Sequence, residues 1–313
     1  MPQMTPSQAR VIDPVLSAVA QGYKNADLVG SALFPYVPVD QRGGKIVSFG
    51  KEDFYLYAGA RAPGATTKRV VFGYSAGSYA LTQFSLEGVV PWELQQESQA
   101  VPGIDQASVA VTRVLRIVAL NLEKAQADLA TTAGNYAASN KNTALTGTSL
   151  WSDASASDPI GDIETGREAI RAQTGRYPNT LILSAKSMKA LRAHSKIIDR
   201  IKYTGRDIPT VELLASLFGV DNVLIGGAVW ADASGTLSDV WGKTAVLAVT
   251  EIGSVADLGV PSYGYTYRLR GAPIVETPYE DRPAKSWVYP VTDEVQPVIA
   301  GASAGYLISP TVA

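Results

Sequence analysis

The sequence predicts an α+β protein: an extended arm, a long β-hairpin, one long helix, an α/β region and a closing group of strands. Three observations carry this. Val111, Val114, Val118, Leu122, Ala125 and Leu129 recur at spacings of three and four within residues 105–132, the stripe of an amphipathic helix. In RYPNTLILSAKSMKALRAH, Arg176 to His194, an apolar run at Thr180–Leu183 feeds a helical pattern with Ser184 at its N-cap. Residues 42–90 hold two β-rich stretches around a Gly/Pro-rich tip.

The arm covers residues 1–41. Its segment SALFPYVPVDQRGG interrupts Leu33, Phe34 and Tyr36 with Pro35 and Pro38, which force an extended path. Such a segment is expected to lie on another surface rather than build a core. Residues 42–90 form the hairpin: KIVSF and DFYLYAG on one side, VVFGYSAGSYALTQFSL on the other, with Arg61, Lys68 and Arg69 at the tip. A two-stranded ribbon is marginal alone, so it needs a neighbouring surface. Residues 91–178 contain the helix 105–132, capped by Asp105 after Pro102-Gly103. Arg113, Arg116, Glu123, Lys124 and Asp128 fall mostly off its apolar stripe. Residues 133–158 read as a loop, and PIGDIETGREAIRAQTG as a helix ended by Gly175. Residues 179–262 form the α/β region, with a helix capped by Thr210 and stopped by Gly219, then strands in NVLIGGAVW and TAVLAV. Residues 263–313 read as β separated by turns.

Composition narrows the chemistry. The 313-residue chain carries net charge −2, without the basic excess of a protein that lives by phosphate contacts. It has no cysteine, which excludes disulfides, thiolate catalysis and Cys-ligated metals, and one histidine, which excludes a His-rich metal site within one subunit. The N-terminus lacks the pattern of a signal peptide. The uncharged runs Val70–Leu86 and Val295–Ala313 are too broken by Gly and Pro for a lipid-facing helix. The expectation is a soluble, cytoplasmically made protein with no membrane contact.

No motif supplies an active site. In WGKTAV the glycine a P-loop needs is replaced by Leu237, and a strand follows where a helix should. His194 reads as a surface or capping group; no G-x-S-x-G elbow accompanies it. YEDRP (Tyr279–Pro283) and SDASASD (Ser152–Asp158) read as solvated turns, and the tyrosines of SYGYTYRLR as the packed face of a strand. Catalytic residues, cofactors and metals are expected to be none. Arm and hairpin both need a surface they do not own, which points to self-assembly.

Taken in order, these segments resemble the major capsid proteins of tailed double-stranded DNA bacteriophages, with the HK97-type fold. PVLSAVAQGYKNADLVGSALFPYVPV resembles their N-terminal arm, and residues 42–90 their extended loop. Residues 105–132 are similar to the spine helix of the peripheral domain (91–178, with return strands in 263–313). IPTVELLASLFGVDNVLIGGAVW resembles part of the axial domain (179–262). The resemblance implies a structural, non-enzymatic subunit that self-assembles as pentamers and hexamers into an icosahedral virion head around the genome. It also implies assembly in the host bacterial cytoplasm and non-specific contact with packaged DNA. Partners would be a portal, a decoration protein and a scaffolding protein, the last expected to be separate because a charged helical leader is missing. Leu33, Phe34, Tyr36, Phe54, Tyr55, Arg61, Lys68 and Arg69 are the expected inter-subunit contacts. Phe34→Ala with Tyr36→Ala should then weaken assembly and spare the subunit. Competing readings are an encapsulin-like compartment shell, another phage structural protein forming tubes or rings, and a soluble α/β enzyme with a carboxylate site.

Overall fold

The computed structural model describes residues 28–48, 75–99, 105–201, 209–251 and 262–313, together with residues 56, 60, 63 and 67. The described residues open with one helical turn, α1 (Gly30–Leu33), and a short strand, β1 (Tyr36–Val39). β2 (Gly43–Ser48) and β3 (Ser75–Ala80) pair antiparallel as the hairpin stem. β4 (Thr82–Pro91) follows, then α2 (Trp92–Gln99) and the long α3 (Gln106–Thr131). β5 (Lys141–Asn142), α4 (Pro159–Thr174), β6 (Thr180–Ser184), α5 (Ala185–Arg192), α6 (Ser195–Ile201), α7 (Val211–Phe218) and β7 (Asn222–Gly226) come next. The chain finishes with β8 (Val229–Ala231), β9 (Leu237–Asp239), β10 (Ala245–Ala248), β11 (Gly264–Leu269), β12 (Ile274–Val275), β13 (Tyr279–Asp281), β14 (Ser286–Ile299) and β15 (Gly305–Ile308).

Two sheets organise these elements. β14 is the axis of a six-stranded sheet. One of its edges pairs with β4 from Ser286 to Val295; the other meets β13, β12 and β11 in turn, with β1 parallel to β11 outside. The second sheet has five strands in the order β5-β15-β10-β6-β7. Every residue of β6, β10 and β15 is buried, as expected where both faces of a sheet are covered and the strands read as continuous apolar runs.

α3 belongs to both cores. Asp105 caps it, accepting from the amides of Ala107 and Ser108 at 3.1 and 3.3 Å. Its 26 residues make a rod of about 39 Å. The N-terminal half packs Val111, Val114, Leu115 and Val118 on Val90, Val275 and Val291 of the six-stranded sheet. The C-terminal half turns Ala127 and Ala130 into the larger core of the five-stranded sheet. The apolar stripe is therefore buried only as far as Leu122. Ala125 and Leu129 line an open groove of about 810 Å³ between α3 and β4, and the buried side shifts to Glu123, Gln126, Ala127 and Ala130. Glu123, expected off the packed face, is among the most buried charges of the described residues.

Other local expectations meet the structure as follows. Ser184 caps α5, Thr210 caps α7, and Gly175 and Gly219 end their helices in the left-handed conformation. Asp153 closes a solvated turn with Ser155 and Ala156. Tyr263 is buried and Tyr267 stacks within the sheet region, so these tyrosines pack. The stretch expected as one hairpin arm divides at Leu81: residues 75–80 pair with β2, whereas β4 joins β14 through ten residue pairs. Residues 133–158 are not a plain loop. They contain 3-10 turns and β5, and bury Tyr136, Asn140 and Trp151. Tyr279–Asp281 form β13 rather than a turn. His194 is fully buried rather than at the surface: its Nε2 lies 2.9 Å from Ser157 Oγ, and its carbonyl accepts from the Ile197 and Ile198 amides at the start of α6.

Candidate inter-subunit surfaces and the hairpin root

Of the eight residues expected at subunit contacts, Phe54, Tyr55, Arg61, Lys68 and Arg69 lie outside the described residues. The other three separate sharply. Leu33 and Phe34 are fully buried within their own subunit. The α1 turn drops them into the larger core, where the Phe34 ring meets Tyr263 at 5.4 Å between centroids. Gly264 makes that approach possible, since a Cβ there would lie 2.5 Å from Phe34 Cδ1. They are core anchors and have no face to offer a neighbour. Tyr36, one step further along, is 43% exposed and carries the Arg268 guanidinium over its ring at 4.4 Å.

Beyond Tyr36, three arginines fasten the arm and the hairpin root to the six-stranded sheet. Arg268 reaches Asp293 at 2.9 Å while stacking on Tyr36. Arg270 donates to Asp40 at 2.6 Å, and that hydrogen bond holds the Asp40 carboxyl below its ordinary range. Arg42 forms a two-pronged pair with Glu294, Nε to Oε2 at 2.6 Å and Nη2 to Oε1 at 3.0 Å. The planar fork fits a carboxylate in one orientation and so fixes direction as well as distance. The Leu81 amide donates to the Arg42 carbonyl at 2.7 Å, closing the base of the hairpin. Tyr79 stacks on Tyr267 at 4.4 Å and 11°. Burial, then Tyr265 and Tyr79, push the Tyr267 phenol up to about 12. Asp293 is almost wholly buried, and desolvation raises its pKa against the opposing pull of Arg268.

Glu123 is a second anchor, at the boundary of the two cores. Its carboxylate accepts from the Val29 amide at 3.1 Å, the Gly30 amide at 2.8 Å and Trp241 Nε1 at 2.7 Å. One side chain on α3 thus joins the arm to the turn before β10. Gln126, one turn along, donates to Thr266 Oγ1 of β11 at 2.8 Å. Burial raises the Glu123 pKa, while the indole and the two amides oppose it. Neither anchor was singled out by the sequence reading. The adjacent acids Asp293-Glu294 inside an apolar fourteen-residue strand were the available signal. Glu123 gave none, because its neighbours are ordinary surface charges.

Among the described residues no cluster of three or more His, Cys, Asp or Glu side chains could hold a metal, and no helix is long and apolar enough to cross a membrane. The described surface offers a directed hairpin stem, a long helix beneath a sheet, and a half-exposed aromatic at the arm root.

This architecture is shared with viral and compartment shells. The mature capsid of bacteriophage PhiM1 aligns with a TM-score of 0.53 at 13% identity, over 92% of this chain and 88% of that one. The SrpI encapsulin of Synechococcus elongatus PCC 7942 aligns at 0.54 and 13%, over 100% and 92%. The chain has the HK97-type fold. Nearer relatives narrow the class. A phage-related protein from Bordetella bronchiseptica RB50 has a crystal structure that aligns with a TM-score of 0.82 at 43% identity, over 97% of this chain and 98% of that one. The major capsid protein of Burkholderia phage BcepMu is 41% identical over 307 residues, 97% of each chain. The family described as phage major capsid protein E matches residues 110–289. The chain belongs to the phage major capsid proteins, and its role is that of a structural subunit of the head shell.

Proposed function

We propose that copies of this chain assemble as pentamers and hexamers into an icosahedral head that encloses double-stranded DNA, within the host cytoplasm. A portal, a decoration protein and a separate scaffolding protein would be its partners. The observation that carries this reading is the hairpin root. Among the described residues β2 and β3 pair only with each other, apart from both sheets, yet their base is held in one direction by Arg42–Glu294 and by the Tyr79–Tyr267 stack. An aimed two-stranded stem is of use to a neighbour, which also supplies what a lone ribbon lacks. In this reading Phe54 and Tyr55 bring apolar area to the neighbouring subunit, Arg61, Lys68 and Arg69 set register against its acids, and Tyr36 contributes from the arm root. Each contact can be weak, because closure multiplies contacts per subunit.

Electron microscopy of the purified protein, after size-exclusion chromatography with light scattering, tests it. Closed shells, or pentamers and hexamers that convert to them, are expected. A discrete dimer or tetramer that never closes, even with its co-expressed neighbours, would overturn the reading.

A further inference from the structure

We infer that the exposed face of α5 and α6, with the turn that follows β9, is a contact surface for duplex DNA; this rests on the shell reading above. Between residues 185 and 201 the sequence carries Lys186, Lys189, Arg192, Lys196 and Arg200 against one acid, Asp199, in a chain whose net charge is −2. The fold turns this run outward. Met188 and Leu191 of α5 and Ile197 and Ile201 of α6 are buried, so each helix presents its cations on the opposite side. Lys186, Lys189, Arg192 and Arg200 are all exposed.

The turn bearing Lys243 is fastened to the start of α5. Ser184 N and Ser187 Oγ both donate to the Thr244 carbonyl, at 3.0 and 3.1 Å, and Lys243 stands exposed beside them. Two cations are engaged nearby: Lys186 with Asp239 at 2.8 Å and Lys196, more loosely, with Asp158 at 3.7 Å. Lys189, Arg192, Arg200 and Lys243 have no acid partner among the described residues. Lys189 and Arg192 are one helical turn apart, about 4.5 Å along the axis. Exposed cations without acid partners complement a duplex, which offers one negative charge per roughly 1.7 Å of its length. Residues 185–201 carry no Asn, Gln, Phe, Tyr or Trp, and His194 is buried, so the fit is to phosphate, independent of sequence.

The test is fluorescence anisotropy of a labelled 20-base-pair duplex titrated with dispersed wild-type subunits between 50 and 200 mM salt. A variant carrying Lys189→Gln, Arg192→Gln and Arg200→Gln is measured alongside, with Arg113→Gln/Arg116→Gln on α3 as the comparison face. At about 0.9 in log–log slope per phosphate contact, the triple variant should lose between two and three units of slope, and at least tenfold in affinity at 50 mM. The α3 variant should bind as wild type. Wild-type binding by the triple variant, or loss confined to the α3 variant, would overturn the assignment. So would a triple variant that binds DNA normally but no longer closes shells, since the face would then be an inter-subunit contact. Failure of the wild type itself to form shells would instead count against the capsid reading.

Discussion

Glu123 shows how one residue carries two connections. Its carboxylate holds the start of α1 and the Trp241 indole together, and Gly30 permits the approach: a Cβ there would sit 2.8 Å from Glu123 Oε2 and 2.2 Å from Gln126 Oε1. Glu123→Gln keeps the size but turns an N–H₂ toward donors, and should cost about 1–3 kcal/mol at neutral pH in a urea titration. The pH dependence has a definite sign. With the folded pKa raised by burial, the folded state binds the extra proton between the unfolded and folded values. Stability from this group is full below the ordinary glutamate range and falls as pH rises through the folded value. The wild-type midpoint should therefore drop from pH 4 toward 7 relative to the Gln variant, in which this contribution is absent. A flat difference would contradict it. At the arm, Phe34→Ala should cost about 3–5 kcal/mol of subunit stability by leaving a cavity beside Tyr263, whereas Tyr36→Ala should cost far less. The alternating prolines were legible as an extended path. That one helical turn would dip Leu33 and Phe34 into a core whose other members lie mostly more than ninety positions away was not.

At the level of elements, the stripe of α3 announced the helix and its cap to within a residue. Its face could not be followed past Leu122, because the helix changes partner there and a new face turns inward. Lys124 pairs with Asp128 at the surface while Glu123, next in sequence, points inside. β4 escaped for a related reason: its alternation suits a ribbon and a sheet edge equally, and only pairing with β14 decides. Gly88 marks where β4 meets α3. A Cβ there would lie 3.2 Å from Ala110 Cβ and 3.3 Å from the Ala110 backbone. Gly88→Val should push α3 from the sheet and destabilise the subunit by about 1–3 kcal/mol, read as a lower denaturant midpoint. Arg42→Ala should leave the circular dichroism spectrum intact, speed hydrogen exchange at Leu81 and along β2–β3, and lower the yield of closed shells. Unchanged exchange at Leu81 would show that the Glu294 clamp does not set the stem.

On the scale of the molecule, neither core draws on the described hairpin strands β2 and β3. Replacing residues 49–74 by a two-residue Asn-Gly turn should give a subunit that folds with near-native thermal stability and yields no closed shells by light scattering. Shells of ordinary size from that variant would show that the stem, rather than what it carries, makes the contact. Among the described residues, the order of extended segment, hairpin stem, long helix, mixed helix-and-strand stretch and closing strands was visible in the sequence, because each has its own period or turn chemistry. The arginine clamps at Asp40, Asp293 and Glu294 were not, since they join positions some 25 to 250 residues apart and leave no local pattern.

α3 lends one face to each of the two hydrophobic cores, with Glu123 between them. Neither core can melt alone without stripping the other of its covering helix. Heating should accordingly give a single calorimetric peak whose van't Hoff and calorimetric enthalpies agree, despite two sheets and two apolar centres. A subunit that unfolds all or none releases no half-open copies into a growing lattice, where they would act as chain terminators.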